Sequence, residues 1–266
     1  MARHIPGVIA WAMLGLAAVG ATAEDMMQHV DLTSPEMTSA EMTRADLEAE
    51  IAKAGSSERV DLTGKKLSGL DLSGLDLSHI VLRAARLNRT KLAGVKLDGA
   101  VLDQAWALEA DLSRASLKGA SLFAAQMQRA RIDGADLSHA RIAADLSGAS
   151  LAGASLTGAD LGADMKNQSM GLMRAVLRSA NLDGAIMRDA NLSRADLEFA
   201  SLRNVDLTNA SLAGAALGGA TLFRVVLIGT DFLGADLAST RLIAPIGLEA
   251  AKNFDKARNL DRLLRE

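Results

Sequence analysis

The residues able to do chemistry are few and badly placed for it. The chain of 266 residues has no cysteine, which removes a disulfide scaffold, a Cys/His zinc site, a thiol nucleophile and a c-type haem. Of its four histidines, His79 and His139 each follow a leucine by two residues. Aspartates such as Asp111, Asp136, Asp196, Asp206 and Asp236 each precede a leucine. A carboxylate there is expected to accept hydrogen bonds from nearby backbone amides rather than to join an acid/base pair. Ser73-Gly74 and Asp98-Gly99 read as turn corners, so no glycine-rich phosphate loop is present. No catalytic constellation emerges, and the chain reads as a non-enzyme without metal or cofactor.

The elements that position these residues follow from a period of five. Leucine or a substitute recurs at Leu62, Leu67, Leu72 and onward to Ile142, steps by four to Leu146, and continues to Leu161. The series resumes at Leu172 and runs to Leu242, giving 36 positions of which 30 are leucine. On an α-helix five residues advance 500°, so no apolar stripe forms. On a flat strand odd spacing throws alternate leucines to opposite faces. A chain that bends once per repeat points every leucine inward. Stacking such coils satisfies the backbone except at the two ends. Alanine stands two positions before 24 of the 36, as at Ala100, Ala110 and Ala130, and fits a crowded axis.

Ala135-Asp136-Leu137-Ser138-His139, Ala180-Asn181-Leu182-Asp183-Gly184, Ala190-Asn191-Leu192-Ser193-Arg194 and Ala235-Asp236-Leu237-Ala238-Ser239 resemble the A(D/N)LXX unit of the pentapeptide-repeat family. The resemblance implies an all-β fold, a right-handed quadrilateral parallel β-helix with four repeats per coil, here about nine coils. Short helical caps are expected at both ends. His79 and His139 would then lie on one face three coils apart, roughly 14 Å, too far to share a metal. The first repeats depart from the pattern, with Leu70, Leu75 and Ile80 replacing alanine, so those coils should be wider or partly capped.

The family's best-known activity is mimicry of DNA by an acidic rod that binds topoisomerase. Residues 60–242 carry 19 Asp/Glu and 20 Lys/Arg. A duplex mimic needs uncompensated negative charge, so this alternative is disfavoured. Direct nucleic-acid binding is not expected either: Arg83, Arg86, Arg89, Lys91 and Lys96 form the one basic run and read as a solvated face.

The ends complete the plan. Residues 1–23 read as a signal peptide: Arg3, an apolar run from Val8 to Val19, and Ala21-Thr22-Ala23 before a cut between Ala23 and Glu24. The mature chain is expected in the bacterial periplasm, with no membrane span. Residues 24–59 form an acidic lead, with nine Asp/Glu against three Lys/Arg, ending in a capping helix from Thr43 to Ala54. Residues 60–242 form the β-helix, interrupted near 162–171, where Lys166-Asn167-Gln168 replace repeat residues and Ala163-Asp164-Met165 offers an alternative repeat. Residues 243–266 read as an amphipathic helix, with Ala250, Phe254, Ala257 and Leu264 on one side, serving as a cap or a homodimer contact.

What remains is exposed apolar surface. Trp106, Leu108, Phe123 and Val101 are expected to point outward on adjacent sides of neighbouring coils, as a surface for an unidentified protein partner or a second copy. Ala107 at the core position leaves open a local shift that would turn Leu108 inward. Phe223, Val226, Ile228 and Leu233 form a second group that the terminal helix is expected to cover.

Overall fold

The repeat Ala135–His139 shows how five residues make one side of a coil. Ala135 and Leu137 are buried, and Asp136 between them pairs in parallel with Ser116 on one side and Ser155 on the other. After the leucine the chain turns: the Ala140 amide donates to the Leu137 carbonyl at 3.0 Å. The corner residue His139 takes φ 59°, the sign a type II turn puts at its third residue. In this computed structural model residues 30–54, 59–165 and 173–265 are described. Contacts divide the chain into Met1–Asp31 and Leu32–Glu266, and the coils lie wholly within the second unit. The signal segment and His29 lie outside the described residues.

Pairing fixes the number of repeats per coil. Asp61 pairs with Val81, Lys66 with Arg86, Asp71 with Lys91 and Asp76 with Lys96, each offset by twenty residues or four pentapeptides. These four positions begin four ladders, called here the first to fourth sides. The first, second and third ladders have ten rungs and the fourth nine, so the stack extends about 43 Å at ~4.8 Å per rung. On the third side the rungs lengthen into parallel strands β1 (Ser201–Arg203), β2 (Thr221–Phe223), β3 (Arg241–Ile243) and β4 (Leu264–Arg265). The inward leucines and alanines form one continuous core along the axis. Where threonine replaces alanine, at Thr90, Thr230 and Thr240, the buried hydroxyl donates to the carbonyl of Leu67, Leu207 or Leu217 at 2.8–2.9 Å.

Both register slips have a geometric cause. At Ala143-Ala144 the offset falls to nineteen, from Ser121↔Arg141 to Gln126↔Asp145, and both alanines are buried where a turn residue is missing. The second slip is an excursion. The Ala175 amide takes the Leu161 carbonyl at 3.2 Å, and Asp145↔Val176 spans 31 residues where an uninterrupted coil spans 20. The chain therefore leaves the coil after Ala163 and rejoins it at Ala175, and the Asp164 amide donates to the Met173 carbonyl at 3.1 Å between the two points. Ala163-Asp164-Met165 is not a repeat, because Ala175 fills the place after Leu161. Lys166, Asn167, Gln168 and Leu172 lie outside the described residues.

The two ends differ. Near the N-terminus, α1 (Pro35–Thr38) and α2 (Arg44–Ala54) precede the first coil. Thr43 and Asp46 cap α2 reciprocally: the Thr43 amide donates to Asp46 Oδ2 at 2.8 Å, and the Asp46 amide donates to Thr43 Oγ1 at 3.2 Å. Leu47 is buried in the core, with Ile51, Leu70 and Leu75 packed against it.

At the C-terminus the expected amphipathic helix is absent, and the coil continues at a spacing of six. Ile246, Lys252, Arg258 and Leu264 pair with Val226, Asp231, Asp236 and Arg241. Gly247, Asn253 and Asn259 take left-handed φ of 73°, 52° and 58°, which a continuous α-helix cannot contain. A single 3-10 turn follows each, and Leu248, Phe254 and Leu260 pack on the core. Phe254 meets Phe232 edge to face, with ring centroids 5.2 Å apart. A dimer through a C-terminal helix loses its element.

Candidate functional surface

The aspartates that precede leucine bond the turn, as their position suggests. Asp111, Asp136, Asp196, Asp206 and Asp236 each accept the backbone amide two residues on, at 2.9–3.1 Å. At Asp76 the Ser78 hydroxyl, then the Ser78 amide and Lys96, hold the carboxyl below the usual aspartate range. Glu109 is lowered likewise, first by its bond from Arg89 and then by the charges of Arg89 and Arg129. Groups so lowered are ionised structural acceptors, unsuited to proton transfer near neutral pH. His79 and His139 occupy fourth-side corners, and their rings lie against Gly99 and Gly158 of the next coil. Among the described residues no group of three or more His, Asp or Glu is placed to hold a metal ion.

The four residues of the expected apolar surface divide between two sides. Val101 lies on the first side between Val81 and Ser121. Phe123 is also on that side, half-buried, with the Arg141 guanidinium 4.8 Å above its ring. Arg141 also pairs with Asp164 at 2.8 Å, tying the ring to the point where the chain leaves the coil. Trp106 lies on the second side as a rung between Arg86 and Gln126, half-buried.

Leu108 departs from the expected outward position. It is only 7% exposed, yet no shift of register turns it inward, since Ala107 keeps the core position at 1%. The lead covers it instead. Asn88 donates to the Met37 carbonyl of α1 and accepts the Leu108 amide, both at 3.0 Å. Glu36 of α1 is tied to Lys66 at 2.5 Å and Arg86 at 3.3 Å. Leu32, Met37, Asn88, Arg89, Leu108 and Glu109 are among the residues lining a cavity of about 390 Å³ between lead and coil.

A feature the sequence did not announce gathers on the same side. Among the described residues, Ser68 Oγ, Arg86 Nε and Gln128 Oε1 are the buried side-chain polar atoms without a hydrogen-bond partner. All three belong to second-side repeats on rungs next to or near Trp106. Burying such an atom unsatisfied costs roughly 1–3 kcal/mol, and all three atoms lie beneath the surface of this side. The second apolar group is uncovered, contrary to expectation: Ile228 is 46% exposed and Leu233 48%, because the terminal segment continues the stack.

Comparison with known proteins agrees with this architecture. HetL, a pentapeptide repeat protein involved in heterocyst differentiation regulation from the cyanobacterium Nostoc sp. Strain PCC 7120, is 29% identical, with a TM-score of 0.62 over 81% of this chain and 94% of that chain. A trypsin-treated form of the plasmid-mediated fluoroquinolone resistance protein QnrB1 is 16% identical over 78% of this chain and 90% of that chain, with a TM-score of 0.38. No curated protein sequence matches the chain. The family described as Pentapeptide repeats matches in 8 copies, over residues 66–104, 109–141, 142–166, 172–209 and 206–242. With more than half of its length in those matches and paired rungs offset by four repeats within them, the chain belongs to the pentapeptide repeat family.

Proposed function

We propose that this chain is a non-enzymatic, exported scaffold that binds a protein partner through the surface around Trp106 and Phe123. The observation that carries the reading is the pair of half-buried rings, Trp106 on the second side and Phe123 on the first, held on a rigid stack of coils. A partner that covers the exposed parts of the Trp106 and Phe123 rings removes apolar surface from water. Stacked coils hold such a face rigid, so little ordering entropy is lost on binding. Export rests on the N-terminal segment, with release between Ala23 and Glu24 into the bacterial periplasm. We read the coil as a right-handed quadrilateral, the hand that crossovers between parallel strands take in about 98% of cases.

The charge arrangement favours a scaffold over a nucleic-acid mimic. Carboxylates along the rod are matched by cations one coil away: Asp71 with Lys91, Asp76 with Lys96 and Asp111 with Arg131, at 2.8–3.6 Å.

Two experiments test the reading. N-terminal sequencing of the exported protein should begin at Glu24; an intact Met1 in a cytosolic fraction would remove export. Trp106→Ala with Phe123→Ser should leave the circular dichroism melt near wild type and abolish co-purification of the partner. A partner retained by that double variant would refute the surface.

A further inference from the structure

We propose that the fourth side in the C-terminal half of the rod is a landing face for an anionic lipid bilayer. This goes beyond the protein-binding reading and uses none of its residues. Ile186, Asp206, Val226 and Ile246 are successive rungs of one ladder, and Ile228 stands beside Val226. Ile186, Ile228 and Ile246 are 43–46% exposed. At the neighbouring corner Phe223 and Ile243, register partners on β2 and β3, extend the apolar area. Asp206, the one charge among these rungs, is neutralised by Arg188 Nε at 2.6 Å, and the exposed Asp189 stands at the far corner of the Ile186 repeat. The C-terminal coil adds Ile246 to this face, and no helix among the described residues covers it.

The charges beside the face identify the occupant. In the N-terminal coils many cations are matched one coil away, as in Lys91–Asp71, Lys96–Asp76 and Arg89–Glu109. Arg203 and Arg224, at the corner between the third and fourth sides, are exposed and form no such pair among the described residues. The Arg203 guanidinium lies 5.9 Å from the centre of the Phe223 ring. Aliphatic side chains for the acyl boundary, a ring at the edge and guanidinium groups for lipid phosphates are the parts of an interfacial contact. Side chains on one sheet face also project to a common height, which suits a plane. Among the described residues no helix is long and apolar enough to cross a membrane, so the contact is peripheral.

The absence of cysteine allows a clean test in the full chain. Ile228→Cys carries a polarity-sensitive dye, and Ala152→Cys, on the third side of the N-terminal half, carries the same dye as a control. Each is mixed with phosphatidylcholine vesicles, with and without phosphatidylglycerol. The expected result is a blue shift at position 228 alone, with phosphatidylglycerol present, reversed by salt. Arg203→Gln with Arg224→Gln should weaken co-sedimentation roughly tenfold, and Ile246→Asp should abolish the shift. All the substituted side chains lie at the surface, so melts should stay near wild type. Were Ile246→Asp to unfold the chain, the arginine pair alone would decide. An unmoved dye, an equal shift with phosphatidylcholine alone, equal shifts at both positions or undiminished binding of the arginine variant overturns the proposal. So does a shift that tracks protein concentration without vesicles, which would assign the face to a second copy.

Discussion

Stacking of a corner side chain on the next coil can be isolated by comparing Gly158→Ala with Gly153→Ala. The two glycines have φ of +64° and +65°, so the backbone cost of adding a side chain is the same at both. That cost is about 1–2 kcal/mol for left-handed conformation, offset by about 0.4–1 kcal/mol from restricting the unfolded chain. At Gly153 an added Cβ meets nothing within 4 Å. At Gly158 it comes within 2.6 Å of Nδ1 and 2.8 Å of Cε1 of His139. The ring must swing off its seat, a further ~1–3 kcal/mol by analogy with overpacked sites. For a unit of this size each kcal/mol lowers Tm by roughly 2–4 °C. Far-UV circular dichroism melts should therefore place Gly158→Ala roughly 2–12 °C below Gly153→Ala. In a His139→Ala background Gly158→Ala should cost no more than Gly153→Ala, a coupling of about 1 kcal/mol or more. Equal melting of the two single variants, or a Gly158→Ala cost indifferent to His139, would refute corner stacking.

Leu192 is fully buried mid-rod, so Leu192→Asp places a charge with neither water nor partner and should cost about 4 kcal/mol or more. Because each coil leans on its neighbours, several coils should lose hydrogen-exchange protection together; a melt within a degree or two of wild type contradicts the register. Thr230→Val keeps the shape but removes the hydroxyl bond to the Leu207 carbonyl, which retains the Ala210 amide; a loss of about 1 kcal/mol in denaturant titration is expected. Acid should weaken the rod. The carboxyls of Asp46, Asp61, Asp71 and Asp76 are lowered, chiefly by bonds from Thr43, Thr63, Ser73 and Ser78. Their contribution is present above the ordinary aspartate pKa of about 3.9 and is lost as pH falls from there through the lowered values. Melts at neutral pH and in that acid range should differ in that sense; a rod more stable in acid contradicts it.

Most of the rod is legible in the sequence because one period serves both chemistry and geometry. A leucine every fifth residue and a small residue two before it place the buried pair, while the offset of twenty between paired rungs is implied by the family resemblance rather than by the spacing. Even Ala107, the weakest core residue in the series, stays buried. The C-terminal coil reads as a helix because Ala250, Phe254, Ala257 and Leu264 fall at helical spacings of four, three and seven. The signal against a helix lies in Gly247, Asn253 and Asn259, the residue types that tolerate left-handed backbone. Asn253 and Asn259 each donate to an aspartate one coil up, Asp231 or Asp236, at 2.7–2.8 Å. At the surface, Trp106 and Phe123 are legible as outward positions. The covering of Leu108 is not, because it depends on Asn88 bonding Met37, 51 residues away in sequence. No periodicity encodes such a contact, nor the unpartnered atoms of Ser68, Arg86 and Gln128.

Whether the surface around Trp106 meets a protein partner is decided by placing a photo-crosslinking amino acid at position 106 in living cells and identifying the products by mass spectrometry. One abundant heterologous partner is expected, lost when Phe123→Ser is added and absent when the crosslinker stands at position 152. No crosslink from position 106, or the same products from 106 and 152, would mean that this face is not a binding surface.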